Sequence, residues 1–305
     1  TSGACYNESN ALTVYKDGLV VVGGEFESLG SNTYFECGVP QGAGRRQVWK
    51  SCLGAFRAGT VSNSAWNDAF LGEDSAAFGY DTVASGAQSF AAGNQSRALE
   101  VGAAAIGISA YANARGSTAF GIDTRAWGNG SLAAGSSCEA EGEHSFAMGY
   151  LTIATGPQSV AMGVNTTASG DQSFAIGQDT IASGTQSLAM GRRSQATANQ
   201  AVAMGRDTTA SGDRSVTMGD QSQASGLESI ATGQNTTASG AHSVSTGRHT
   251  VASGDRSLAG GQRTTASGLR SVAFGSNTVA SATDAVAVGT QTTASEVNAV
   301  AMGSS

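Results

Sequence analysis

The sequence predicts an all-β solenoid, in which short strands stack coil upon coil, and three observations carry the prediction. From Ser75 onward a fourteen-residue unit repeats without insertion or deletion. One copy is Ser159-Val160-Ala161-Met162-Gly163-Val164-Asn165-Thr166-Thr167-Ala168-Ser169-Gly170-Asp171-Gln172, and the next starts at Ser173. A short fixed period marks a chain whose units bury their apolar sides only against their neighbours. Glycine accounts for 43 of 305 residues and proline for only 2, so the backbone turns often without the composition of collagen or a Pro-rich disordered chain. Aromatic residues make up 6% of the chain, too few for a conventional large core.

Residues 1–74 do not follow the repeat. Segments 11–15, 18–22, 33–37 and 47–50 are rich in β-branched and aromatic residues and bounded by Gly, Asn, Asp or Pro, which predicts strands separated by turns. A small β cap or docking module is expected, because a solenoid end exposes strand edges and interior. Near Ala69-Phe70-Leu71-Gly72 the chain already resembles half a coil. Cys5, Cys37 and Cys52 lie in this segment and Cys138 in the repeat. A Cys37–Cys52 disulfide with a spare thiol, an interchain bridge and free thiols are all open. The first residues lack the basic and apolar regions of a signal peptide, and the absent initiator Met suggests a trimmed N-terminus that leaves secretion open.

Numbered from Ser75, sixteen full coils run to residue 298 and a half coil follows. Column five is Gly in every copy, column ten is Ala in every copy, and column twelve is Gly in most. Two Gly positions seven residues apart fit two turns per coil, where a positive φ or close backbone approach excludes a side chain. Each coil is then two short strands and two turns. Columns nine and eleven hold Arg97, Arg125, Glu139, Asn113 and Glu141, which cannot be buried unpaired, so columns eight and ten point inward. On the first strand, column two (Val160, Phe174, Leu188) and column four (Phe78, Met162, Met190) are large and apolar, and are expected to fill the interior opposite the small residues. Columns one and three then form an outer face of Ser and Ala. There Ser159, Ala161, Ser173, Ala175, Ser187 and Ala189 are the expected subunit interface, because a flat face of small side chains suits close approach of another chain. The inverse assignment lines the roll with Ala and gives the large residues to the oligomer core; oligomerisation holds either way. At ~4.8 Å per coil, sixteen coils make a rod of roughly 75–80 Å.

The formal net charge of -7 with 13% charged residues gives no electrostatic case for nucleic acid or a membrane surface. No apolar run is long enough to insert in a membrane. A solid roll of Ala, Ser and Gly offers no cleft of acids, bases or nucleophiles. His144, His242 and His249 have no ligand spacing, so neither catalysis, nor a metal, nor a cofactor is expected. Cys138 reads as a small buried side chain. Specificity is left to the variable turn columns. Column fourteen stacks Arg214, His242, Arg256 and Arg270, column six adds Arg192, Arg206 and Arg248, and column seven adds Arg193 and Arg263. Residues 192–270 hold eight Arg against five acids, whereas 75–191 hold three Arg against eight acids. This basic band is the candidate ligand site, presented several times over by an oligomer to an anionic glycan or matrix protein; the competing reading is a solvated surface. The regular Thr of column eight raises ice binding, which its shared face with Ala disfavours. Asn7, Asn94, Asn129, Asn165 and Asn235 head glycosylation sequons that matter only in a eukaryotic source.

Ser-Val-Ala-Met-Gly followed by Thr-Thr-Ala-Ser-Gly closely resembles the head repeat of trimeric autotransporter adhesins, the YadA-like family, over residues 75–305. The resemblance implies a left-handed parallel β-roll, assembly as a homotrimer, and attachment to host surfaces or matrix proteins. The sequence departs from that pattern in showing no neck, heptad stalk or membrane anchor, and it stops in mid-repeat. An excised head and a borrowed roll in a viral or phage fibre both fit. The expected function is non-enzymatic attachment outside a cell or on a virion. The alternative is a structural subunit of a surface fibre, joined end to end through residues 1–74.

Overall fold

In the computed structural model of the chain, residues 12–14, 20–22, 42–50 and 53–304 are described. Each coil contributes a five-residue strand from columns two to six and a two-residue strand from columns nine and ten, as in Val160–Val164 and Thr167–Ala168. Like strands of successive coils pair in parallel and in register, Val160 with Phe174 and Ala161 with Ala175 on one side, Thr167 with Ile181 and Ala168 with Ala182 on the other. The chain is thus a parallel β-solenoid of fourteen-residue coils, with one sheet of long strands facing one of short strands.

The two sheets face each other across an interior of small side chains. Columns three and ten are Ala almost throughout and fully buried, and the Ser and Thr of columns one and eight are buried with them. Ser245 Oγ and Thr250 Oγ1, 2.7 Å apart, join column three to column eight across that interior. Columns eight and ten therefore point inward as expected, and nine and eleven outward. On the long strands the expectation is overturned. Phe120 is 56%, Phe174 43% and Met218 41% exposed, so columns two and four point outward. Ser159, Ala161, Ser173, Ala175, Ser187 and Ala189 are at most 1% exposed inside the roll and cannot meet another chain. The reason is the short coil: fourteen residues spent on two strands and two turns hold the sheets too close for anything larger than Ala, Ser, Thr or Cys138 between them.

Strand N–H groups donate forward along the stack, as Val160 N–H does to the Ser173 carbonyl at 2.9 Å. At the turns the direction reverses. Asn165 (φ 53°) donates back to Tyr150 O and Gln172 (φ 56°) back to Pro157 O, both at 2.9 Å. The left-handed residues are therefore columns seven and fourteen, which are mostly not Gly. The glycine columns answer mainly to crowding. A Cβ on Gly163 (φ 126°) would overlap the carbonyl oxygen of Gly177, and one on Gly170, whose φ is not positive, that of Gly184.

Upstream, Gly44–Lys50 and Ala55–Val61 form an antiparallel hairpin that extends the long-strand sheet, the second strand pairing in parallel with the first coil through Phe56 with Ala76 and Gly59 with Gly79. That step spans twenty residues instead of fourteen. The extra length forms a loop with a 3-10 turn at Asp68–Phe70, from which buried Trp66 donates Nε1–H to Thr82 O at 2.7 Å. Arg57 takes the place of the column-three alanine and is 1% exposed. Its guanidinium donates to the carbonyls of Phe56 (2.8 Å), Ser75 (3.0 Å) and Ala84 (2.6 Å) and to Ser75 Oγ (2.9 Å), closing the end of the interior. Burial with no carboxylate beside it lowers its pKa to about 10. Leu12–Val14 pairs antiparallel with Val20–Val22. The expected strand at 33–37 and the cysteines Cys5, Cys37 and Cys52 lie outside the described residues.

Candidate functional site: two turn ladders, an apolar face and a groove

The nine basic residues do not form one surface. A long strand separates column fourteen from columns six and seven by roughly 17 Å at ~3.3 Å per residue. Arg214, His242, Arg256 and Arg270 therefore line one edge of the roll, and Arg192, Arg193, Arg206, Arg248 and Arg263 the other. Most of the charge is also spent within each ladder, because stacking brings residues fourteen apart side by side. Arg193 pairs with Asp207 at 2.6 Å, Arg214 with Glu228 at 2.7 Å and Arg270 with Asp284 at 2.5 Å. Arg206 forks onto Asp220, with Nε 2.8 Å from Oδ1. His242 Nδ1 lies 2.9 Å from the same Glu228 that Arg214 holds. The hydrogen bonds from Arg206 and Arg270, followed by their charge, hold the Asp220 and Asp284 carboxyls below the usual carboxylate range. The same contacts raise both arginines. Of the nine, Arg192, Arg248, Arg256 and Arg263 have no carboxylate within ion-pair distance among the described residues.

The outward columns two and four make a second feature. Column two is Val, Leu, Ile or Phe in every coil from Leu132 to Val300, and column four is mostly Phe, Ile, Met or Val, interrupted by Ala92, Ala134, Thr232, Thr246 and Gly260. Trp49, Phe56, Phe78 and Phe90 stack across the hairpin junction with centroids 6.4, 5.4 and 5.8 Å apart, so the hairpin continues the same face. Seventeen coils at ~4.8 Å and a stripe about 10 Å wide give on the order of 800 Å² of apolar surface, above what a soluble monomer leaves open. Phe174, read from the sequence as interior, belongs to this face.

A third feature lies on the outer face of the short strands next to the hairpin. Arg97, Tyr111 and Arg125 follow one another in column nine and Leu99, Asn113 and Trp127 in column eleven, around a hollow of about 280 Å³. An adjoining hollow of about 350 Å³ shares Arg97 and Tyr111 and is walled by Asn63, Ala65, Asp81 and Gln95. Sequence reasoning used several of these residues only to decide which way the strand faces. The available signal was three consecutive coils that depart from the usual small Thr, Val or Ser. The Thr column, by contrast, is buried, with Thr166 and Thr180 at 0% exposure, and presents no array to ice. Among the described residues no group of three or more His, Cys, Asp or Glu gathers, and no helix is long and apolar enough to cross a membrane.

The family model described as the YadA head domain repeat matches eleven stretches of the chain between residues 71 and 305, from 71–96 through 154–180 to 280–305. A search among curated proteins found no match.

Proposed function

The chain belongs to the YadA head repeat family, which implies trimeric autotransporter adhesin-like function, and on that premise we propose that three copies pack their apolar faces together as a rod for surface attachment. The observation that carries this reading is the outward stripe of columns two and four, in which column two is Val, Leu, Ile or Phe without a break from Leu132 to Val300. It is too long and too apolar for water, and it is flat and regular enough to meet its own copies. The interior of each roll then lies within the subunit, and a second, larger-residue core lies between subunits. The turn ladders and the short-strand face are left outward for ligands on a host surface or matrix.

This arrangement makes the protein a scaffold that displays side chains at fixed intervals instead of a catalyst. Repetition across three subunits favours avidity over any single strong contact. Sedimentation of the full chain across a dilution series tests the assembly, with a trimer expected and a stable monomer refuting it. Adhesion of protein-coated beads to cells or matrix tests the role. Replacing Arg214, Arg256 and Arg270 with Ser addresses the edge that column fourteen lines. Only Arg256 among them has no ion-pair partner, so the expected loss of adhesion is small.

A further inference from the structure

We propose that the groove formed by Arg97, Tyr111, Asn113 and Trp127 is a binding site for a short acidic oligosaccharide, distinct from the basic turn ladders. The proposal rests on the trimeric reading only for the statement that this face, on the side of the roll opposite the apolar stripe, stays open to solvent.

Three properties of the groove point to that ligand. The first is the pair of aromatic rings one coil apart, ~4.8 Å along the stack, with Trp127 53% exposed. An exposed indole beside a tyrosine is a platform for the apolar C–H face of a sugar ring, and each ring keeps a polar edge for water or hydroxyls. The second is charge. Arg125 is held by Glu139 at 2.5 Å, and the Asp81 carboxylate accepts from Ser62 N–H and Oγ–H, both at 2.6 Å. Arg97 has no ion-pair partner among the described residues, although it borders both hollows. An unpaired guanidinium in a groove recognises a carboxylate by two parallel hydrogen bonds. Third, the side-chain amides of Gln95 and Asn113 offer donors and acceptors matched to hydroxyl groups.

The order of the coils sets the polarity of the ligand. Glu141 follows Trp127 by one coil and repels an anion at that end, where Glu139 is already taken up by Arg125. The acidic group therefore sits at Arg97, toward the hairpin, and neutral sugar units run over Tyr111 and Trp127. The loop at residues 62–70, created by the six extra residues of the first step, walls the adjoining hollow through Asn63, Ser64, Ala65 and Phe70 and so bounds the groove at its Arg97 end. No other short-strand face needs such a wall, because elsewhere columns nine and eleven are mostly Thr, Val, Gln and Ser.

Calorimetry on the full chain with sialyllactose, which carries one carboxylate, and with lactose, which carries none, tests the assignment. Sialyllactose is expected to bind more tightly than lactose. Arg97→Gln should weaken sialyllactose about tenfold or more and leave lactose unchanged, as expected for one charge-assisted contact. Trp127→Ala should weaken both sugars, with circular dichroism and melting confirming an intact roll. Arg256→Gln, on the turn edge, should change neither. Equal affinity for the two sugars, no binding of either, or sensitivity to Arg256→Gln in place of Arg97→Gln would overturn the proposal. A monomer that still binds sialyllactose refutes the trimer and keeps the site, so the two failures are separable.

Discussion

Phe174 and Ala175 are neighbours on one strand, and exchanging their roles is the sharpest test of how the roll is built. Phe174 points outward with 43% of its surface exposed in the single chain, and Ala175 points inward with 0%. For a phenylalanine of about 200 Å², the exposed fraction is on the order of 85 Å², which at ~25 cal/mol per Å² is roughly 2 kcal/mol per chain if a partner covers it. Three chains double and triple the effect to about 6 kcal/mol per trimer, or roughly four decades in the association constant. Phe174→Ser should therefore leave the melting of the isolated roll within about 0.5 kcal/mol while shifting the trimer to much higher concentration. Ala175→Leu should do the reverse. It adds side-chain volume between two sheets that have none to spare, and overpacking costs about 1–3 kcal/mol in more accommodating cores. Sedimentation equilibrium reads association, and thermal melting by circular dichroism reads the fold. Should Phe174→Ser unfold the roll while Ala175→Leu only weakens association, the facing of the long strands described here is wrong.

Other outcomes follow from the same geometry. Gly163→Ala should lower stability by about 1–3 kcal/mol through its positive φ alone, and by more because a Cβ must push Gly177 and the next coil away; a melt against wild type checks it. Arg57→Ala should loosen the hairpin end and raise hydrogen exchange over residues 55–84 while leaving coils beyond residue 150 protected, since solenoid coils depend chiefly on their neighbours. Cys138→Ser should be nearly neutral in melting, because Ser96 and Ser194 occupy the same column with hydroxyls 2.9 Å from the carbonyls of Gly107 and Gly205, as the Cys138 thiol lies 3.2 Å from Gly149 O. The Asp220 and Asp284 carboxyls have folded pKa values depressed by their arginines, so their contribution is present above the ordinary aspartate pKa of about 4 and is lost as pH falls through the lower folded value. Carboxyl NMR titration should place both below the ordinary aspartate value of about 4, and Arg270→Gln should return Asp284 to the ordinary range.

The period was legible as a fixed repeat, and the inward pointing of columns eight and ten because a charged residue cannot hide in a thin interior; the turns centre on columns seven and fourteen, not on the glycine columns. The facing of the long strand was not legible, and the reason is physical. Large apolar side chains ordinarily mark the inside, but Phe174 and Met218 lie on the outer face of the long-strand sheet, the face that the proposed trimer would cover. Ala161 and Ser159, which look like surface spacers, are the only sizes that fit between the sheets. The basic band misled in a different way. Counting Arg against acids ignored that Arg193 and Asp207, Arg206 and Asp220, and Arg270 and Asp284 are each fourteen apart, which in a fourteen-residue stack means adjacent. That spacing was visible in the sequence and leaves four of the eight arginines, Arg192, Arg248, Arg256 and Arg263, without a carboxylate at ion-pair distance among the described residues. The groove at Arg97 and Trp127 was visible too, as an interruption of the small-residue pattern, but the hollow that adjoins it at Arg97 needed the loop at residues 62–70.

The interior of alanine and hydroxyl side chains has an evolutionary consequence. Because successive coils present nearly the same small inner surface to one another, a whole fourteen-residue unit can be gained or lost without a compensating change elsewhere in the stack. Each such change moves everything beyond it by ~4.8 Å, so the length of the stack is adjustable in fixed steps while the hairpin, its buried arginine and the neighbouring groove keep their places relative to one another.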